Sequence, residues 1–176
     1  MFDGKLDMTS TKKASQKDIP VLSRKLLKLL EDKNSQVYRD NVTKFGIPEE
    51  YVRKAFAEET LLKAAASGKA TFYLAFEDEE IVGFAQTIQQ DSKTAELDRI
   101  AVFPAHERKG VGTQLLKQAI IDQKKKGVNT IIASAGKEEI HARRFYEKNG
   151  FKLIKEVTTE APWGKKLDLA VYLLKL

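Results

Sequence analysis

The sequence predicts a mixed α/β domain built around one sheet, and three features carry that reading. Two amphipathic helical stretches come before any strong strand. Three strand-like segments then follow one another between residues 71 and 103. A helix, a strand, a helix and two further strands complete the chain, giving the order (β)ααβββαβαββ over residues 1–176.

Each element has a local cause. Asp7 to Lys13 is a weakly patterned first strand. Asp18 is placed as an N-cap with Pro20 just inside the helix, and Val21, Leu22, Leu26, Leu29 and Leu30 recur at helical spacing. Glu31 to Phe45 is polar and reads as a loop with a short helix. Pro48 opens a second helix, with Tyr51, Val52, Ala55, Phe56, Leu61 and Leu62 on one side and Gly68 at its end. Thr71–Phe76 and Ile81–Ile88, separated by the polar turn Glu77–Glu80, read as a hairpin. After a turn at Asp91–Lys93, Ala95–Phe103 is a third strand stopped by Pro104. Gly110 begins a long helix with Leu115, Leu116, Ala119 and Ile120 inward, and Gly127 ends it. Asn129–Ala135 is a short buried strand, Glu138–Asn149 a helix closed by Gly150, and Phe151–Val157 and Leu167–Leu174 the last two strands. The strands flanking the Gly110 helix are expected to run parallel.

Composition narrows the chemistry. The chain has 176 residues and no cysteine, so disulfides, cysteine zinc sites and cysteine nucleophiles are excluded. The two histidines, His106 and His141, lie far apart, and no metal site is assigned. No apolar run reaches the length of a membrane span, and Met1–Ser10 carries Asp3, Lys5 and Asp7, so no signal-peptide core is expected and a cytoplasmic location follows as the default. The net charge of +6 is spread along the chain. Scattered lysines without interleaved aromatics do not make a nucleic-acid surface, and Lys124–Lys126 sits where a helix C-terminus favours cations.

The segment Glu107-Arg108-Lys109-Gly110-Val111-Gly112-Thr113 joins a strand to a helix. Glycine lets a backbone approach a ligand, and the first helical N–H groups have no internal partners, so the turn suits an anion such as a pyrophosphate. Alone, the pattern is better read as a simple tight turn. It is not a dinucleotide fingerprint, because the third glycine is missing, and not a P-loop, because no Gly-Lys-Ser/Thr follows at the required spacing.

Context adds a resemblance. Leu97-Asp98-Arg99-Ile100-Ala101-Val102-Phe103-Pro104 followed by Gly110-Val111-Gly112-Thr113-Gln114-Leu115-Leu116 resembles the central motif of the GNAT superfamily of N-acetyltransferases. Ala142-Arg143-Arg144-Phe145-Tyr146-Glu147-Lys148-Asn149-Gly150-Phe151 resembles the family's second motif. The resemblance implies a GNAT-like fold, a central twisted mixed sheet with helices on both faces, and acetyl-CoA as co-substrate. It implies that Ile100, Ala101 and Val102 pair with the pantetheine arm, and that Arg108, Lys109, Gly110, Val111, Gly112 and Thr113 hold the pyrophosphate. Two residues depart from the family pattern. Glu107 stands where Arg or Gln is usual, and Glu139, at a cofactor-contact position, stands where Asn is common.

The resemblance also assigns catalytic roles. Tyr146 matches the tyrosine that protonates the departing thiolate. Glu96 or Asp98 would take the proton of the acceptor amine; the two share a face if their strand is regular. As plain structure, Tyr146 would be a core aromatic and the carboxylates a half-exposed pair. Phe145 reads as core, His106 and His141 as surface residues, and Trp163 as part of a loop near the acceptor pocket or a cap on the core edge. The element order resembles the diamine and polyamine acetyltransferases, with Asp40, Glu49 or Glu50 suited to a cationic acceptor. Acetylation of protein N-termini or lysines, and a non-catalytic CoA-binding module, are the alternatives. The sequence leaves the oligomeric state open, a homodimer included.

Overall fold

A computed structural model of the protein describes residues 9–176. Asp7 and Met8, at the start of the expected first strand, lie outside the described residues, as does most of Met1–Ser10.

The described chain forms β1 (Ser10–Lys13), α1 (Ile19–Glu31), α2 (Gln36–Tyr38) running into a π-helical turn (Arg39–Thr43), α3 (Glu49–Phe56), α4 (Glu58–Ala66), β2 (Ala70–Glu77), β3 (Glu80–Gln89), β4 (Thr94–Val102), α5 (Val111–Lys125), β5 (Thr130–Gly136), α6 (Ile140–Lys148), β6 (Lys152–Glu160) and β7 (Lys166–Lys175). The sheet order is β1-β2-β3-β4-β5-β7-β6. The β4–β5 pair is parallel, as expected for strands joined through α5, and every other neighbouring pair is antiparallel.

Strand alternation divides the core between the two faces. Phe72, Leu74 and Phe84 point to the face covered by Leu22, Leu26 and Leu30 of α1, Val52 and Phe56 of α3, and Leu61 of α4. Tyr73, Ala75, Ala95 and Leu97 point to the other, under Leu115, Leu116 and Ala119 of α5 and Tyr146 of α6. Each buried leucine contributes roughly 1.5–3 kcal/mol. Polar contacts then fix α5 in register. The Tyr73 hydroxyl donates to Asp122 Oδ2 (2.7 Å), and Gln123 Nε2 donates to Thr87 Oγ1 (2.9 Å) and to the Tyr73 oxygen (3.0 Å). No helix among the described residues is long and apolar enough to cross a membrane.

Several local expectations are corrected. The helix expected over Pro48–Gly68 is two, broken where Ala57 is extended (φ −62°, ψ 140°). The buried Ser23 hydroxyl of α1 donates to Phe56 O (2.6 Å) and takes a carbonyl at the end of α3, while Glu58 and Glu59 restart the chain as an acidic first turn. Tyr51 and Val21, counted with the inward residues, are exposed because they flank the buried stripes. Asp18 sits at the start of α1 without capping it. Its carboxylate accepts instead from Ser15 N (2.7 Å) and Ser15 Oγ (2.8 Å).

The β2–β3 hairpin closes through Asp78 and Glu79, whose φ values are 45° and 67°. Two positive φ angles in a two-residue loop are the signature of a type I′ turn, which prefers Asp-Gly or Asn-Gly. Replacing Glu79→Gly would supply that pair and remove the strain of a β-carbon at positive φ, which exceeds the added freedom of the unfolded chain. Chemical denaturation should show about 0.5–1 kcal/mol of added stability; a loss of stability would contradict this account of the turn.

Candidate active site

The site begins with one extra residue in β4. Thr87 of β3 faces Leu97, but the next residue, Gln86, faces Arg99, so Asp98 is left over as a bulge. The bulge resets which side chains point where. Before it, Ala95 and Leu97 face α5; after it, Ile100 and Val102 do. Glu96 therefore lies on the α1–α4 side before the bulge, and Arg99 and Ala101 lie there after it. The strand is not regular, which was the condition attached to Glu96 and Asp98 sharing a face. Asp98 is nevertheless close enough for its charge to act on Glu96.

The parallel pairing stops at the same place. Thr94–Leu97 match Thr130–Ala133, and nothing beyond Leu97 pairs with β5. On their other edges both strands stay paired, β4 to β3 and β5 to β7, so the sheet opens between them. Phe103 N donates to Val82 O (2.8 Å), which sets the alternation along the end of β4. The amides of Ala101 and Phe103 turn toward β3, and those of Ile100 and Val102 turn toward the opening. An extended chain could pair with them there.

The glycine turn lies beyond this edge. Gly110 has φ 78°, and Ala105 and Arg108 are also left-handed (71° and 61°), so the loop curls tightly into α5. No side chain caps the helix, and its first turn holds no acidic residue. The amides of Val111, Gly112 and Thr113 precede the first repeating bond, Gln114 N to Gly110 O (3.0 Å). Arg108, Lys109 and Glu107 are exposed around them. Gly112 has a packing reason of its own. A β-carbon there would sit 3.3 Å from Phe145 Cε2 and 3.7 Å from Val102 Cγ2, so the missing side chain lets α5 approach α6. His106, expected at the surface, is partly covered. Its Nδ1 lies 2.8 Å from Glu77 Oε2 and ties the loop to the hairpin.

Tyr146 projects from α6 into this core, 6% exposed, with its ring packed on Phe145, Phe151 and Tyr172 at centroid distances of 5.7, 5.3 and 5.7 Å. Its hydroxyl has no hydrogen-bond partner among the described residues. Burial, with the charges of Glu139 and Asp98, raises its pKa, so the phenol keeps its proton. Phe145 packs partly buried at the edge of the same cluster, and His141 is exposed.

Glu139 is occupied within the protein. One carboxylate oxygen accepts from Gly136 N at the end of β5, and the other pairs with Lys44 just after the π-helical turn. The same stretch is held from a second side. Trp163 Nε1 donates to Phe45 O (2.9 Å), and Lys165 Nζ donates to Lys44 O (2.9 Å). Trp163 thus ties the β6–β7 loop to the segment before α3.

On the α1–α4 side, Glu96 accepts from Gln90 Nε2 (2.8 Å), and burial followed by the Asp98 charge raises its pKa. Arg99 lies 5.3 Å above the Phe56 ring, with Nε 3.5 Å from Asp98 Oδ2. Of the acidic residues considered for a cation site, Asp40 accepts from Gln36 Nε2 (2.6 Å), Glu49 pairs with Arg53 (2.8 Å), and Glu50 is exposed. Arg99 and the buried Gln86 opposite it were not singled out from the sequence. A bulge has no residue signature in Leu-Asp-Arg-Ile, and without it the side on which Arg99 falls cannot be read.

Known proteins match this arrangement. A family model described as the acetyltransferase (GNAT) family matches residues 34–151. An uncharacterised N-acetyltransferase of Bacillus subtilis is 35% identical over 81 residues, covering 46% of this chain and 52% of the relative. A spermidine N(1)-acetyltransferase of Thermoplasma acidophilum is 29% identical over 109 residues, covering 60% of this chain and 67% of the relative. The chain thus spans about half the length of the first of these relatives. The crystal structure of an N-acetyltransferase of Thermoplasma acidophilum in complex with coenzyme A superposes with a TM-score of 0.70 at 23% identity, over 96% of this chain and 99% of that one, a likeness of fold.

Proposed function

This chain belongs to the GNAT acetyltransferase family, and on that premise we propose that it transfers the acetyl group of acetyl-CoA directly to a small primary amine. The observation that carries the proposal is the opened edge of β4. The Ile100 and Val102 amides face the gap, the uncapped start of α5 lies beyond one end, and the Tyr146 hydroxyl has no hydrogen-bond partner among the described residues.

The residues suit such a ligand. The pantetheine arm carries amides that can pair with Ile100 and Val102 as an added strand does. The pyrophosphate suits the amides from Arg108 to Thr113, with Arg108 and Lys109 adding charge. A hydrogen bond to a charged group contributes on the order of 1.5–3 kcal/mol, against roughly 0.3–1 from the helix dipole, so the N–H groups carry this end and an acidic Glu107 does not abolish it. Glu139 acts on this reading as a clip between β5 and Lys44, and its contribution to the cofactor is indirect.

The reaction forms a C–N bond and breaks the thioester C–S bond. Glu96, whose raised pKa brings it nearer that of a useful base, takes a proton from the acceptor ammonium, directly or through water. The free amine attacks the carbonyl carbon; as the intermediate collapses the nitrogen gives its second proton to water, and the departing thiolate takes the phenolic proton of Tyr146, which solvent replaces. With no cysteine in the chain, direct transfer is favoured over an acetyl-cysteine enzyme. The Thermoplasma spermidine acetyltransferase supports polyamines as the first acceptors to assay, at low identity; peptide N-termini and lysines form the second set.

Acetyl-CoA offered with small amines should release free CoA thiol together with an N-acetylated product; release with peptides alone would sink the small-amine reading, and release with neither would sink the transferase proposal. In that assay Tyr146→Phe should lower turnover about 10- to 100-fold, within the range of a lost general acid, with acetyl-CoA affinity nearly unchanged. Unaltered turnover would remove Tyr146 from the chemistry. Glu96→Gln should lower kcat/KM and abolish its acidic limb, which in the wild type lies above the ordinary glutamate range. A variant that kept this limb would show that another group is the base.

A further inference from the structure

We infer that the acceptor carries a carboxylate as well as its amine, that Arg99 recognises the carboxylate, and that Gln86 beside it accepts from the ammonium; the inference rests on the acetyltransferase reading above. The two side chains lie directly opposite on β4 and β3, on the side away from α5, where cross-strand β-carbons stand about 5 Å apart. Gln86 is 6% exposed, and its buried Oε1 has no hydrogen-bond partner among the described residues. Native proteins rarely leave such an acceptor unmatched, and the N–H donors of a ligand ammonium are one way to match it. The Arg99 guanidinium rests over Phe56 and lies 3.5 Å from Asp98, yet makes no hydrogen bond among the described residues. Its planar fork of N–H donors therefore points to an oxyanion, and fits a carboxylate with two parallel bonds.

The charge on this side argues the same way. Glu96 and Asp98 give two negative charges and Arg99 one positive, so the three together are only weakly acidic. Asp40 and Glu49 are engaged by Gln36 and Arg53. At Arg99 itself a polyamine's second ammonium would meet a like charge. An amino acid or similar amino-carboxylate places its ammonium toward Glu96 and its carboxylate toward Arg99. The unmatched Gln86 oxygen, an acceptor, serves the ammonium.

The test is a matched acceptor series with acetyl-CoA, read by CoA thiol release: glycine, β-alanine and 4-aminobutyrate, the primary amide of each, and 1,4-diaminobutane and spermidine. The wild type should prefer at least one acid over its own amide and over the diamines by about tenfold or more in kcat/KM. Arg99→Gln should raise the KM of that acid roughly 10- to 100-fold, act far less on the amide, and leave the KM of acetyl-CoA near its starting value. Arg99→Lys should recover part of the preference, which a merely structural role would not produce. Should Arg99→Gln fail to fold, Arg99→Met in the same series keeps the test, with the same selective loss on the acid expected. Preference for diamines, or an acid-over-amide preference unchanged in the folded variant, would overturn the inference and leave the transferase reading standing. No CoA release with any acceptor, despite acetyl-CoA binding, would overturn both.

Discussion

The unpaired residue Asp98 in β4 is the constraint on which the site depends. One extra residue turns the Ile100 and Val102 side chains toward α5 and puts Arg99 on the other side. Parallel pairing with β5 ends at the residue before it, although β4 continues to Val102 and β5 to Gly136. Open backbone at the middle of a sheet is unusual, because unpaired N–H and C=O groups cost stability. It is held here from outside, by β3 on one edge, β7 on the other, and α5 pinned through Asp122 and Gln123.

The two ends of the opening differ in chemistry. Toward α5 the chain offers backbone donors on a tight left-handed loop, tied to the hairpin through His106 and Glu77. Toward α1–α4 it offers side chains: Glu96, Asp98, Arg99 and Gln86. Backbone donors suit a ligand part common to every reaction cycle, and side chains suit the part that distinguishes one acceptor from another. Tyr146, held neutral by burial, lies between the two in the proposed chemistry.

Much of the fold was legible because its signals are local. Gly110, Gly127 and Gly150 are all left-handed in the structure, at helix boundaries where the sequence places them. The hairpin, the parallel β4–β5 pair and the buried stripe of α5 follow from periodicity. What was missed depends on partners far along the chain. The break at Ala57 comes with a hydroxyl on Ser23, and the turn of Glu139 away from solvent comes from Lys44, 95 positions earlier. The Gly112 gap is set by Phe145 on another helix. Motif resemblance located the Tyr146 helix and the glycine turn. It did not reveal the bulge, because no residue type marks it, and Arg99 was missed with it.

The most direct measurement is backbone amide hydrogen exchange, residue by residue, with and without acetyl-CoA. If the opened edge of β4 takes the pantetheine arm and the start of α5 takes the pyrophosphate, the amides of Ile100, Val102 and Val111–Thr113 should slow on binding, while Ala101 and Phe103, already turned to β3, should change little. Slowing of Ala101 and Phe103 with Ile100 and Val102 unchanged, or protection confined to another surface, would contradict the account.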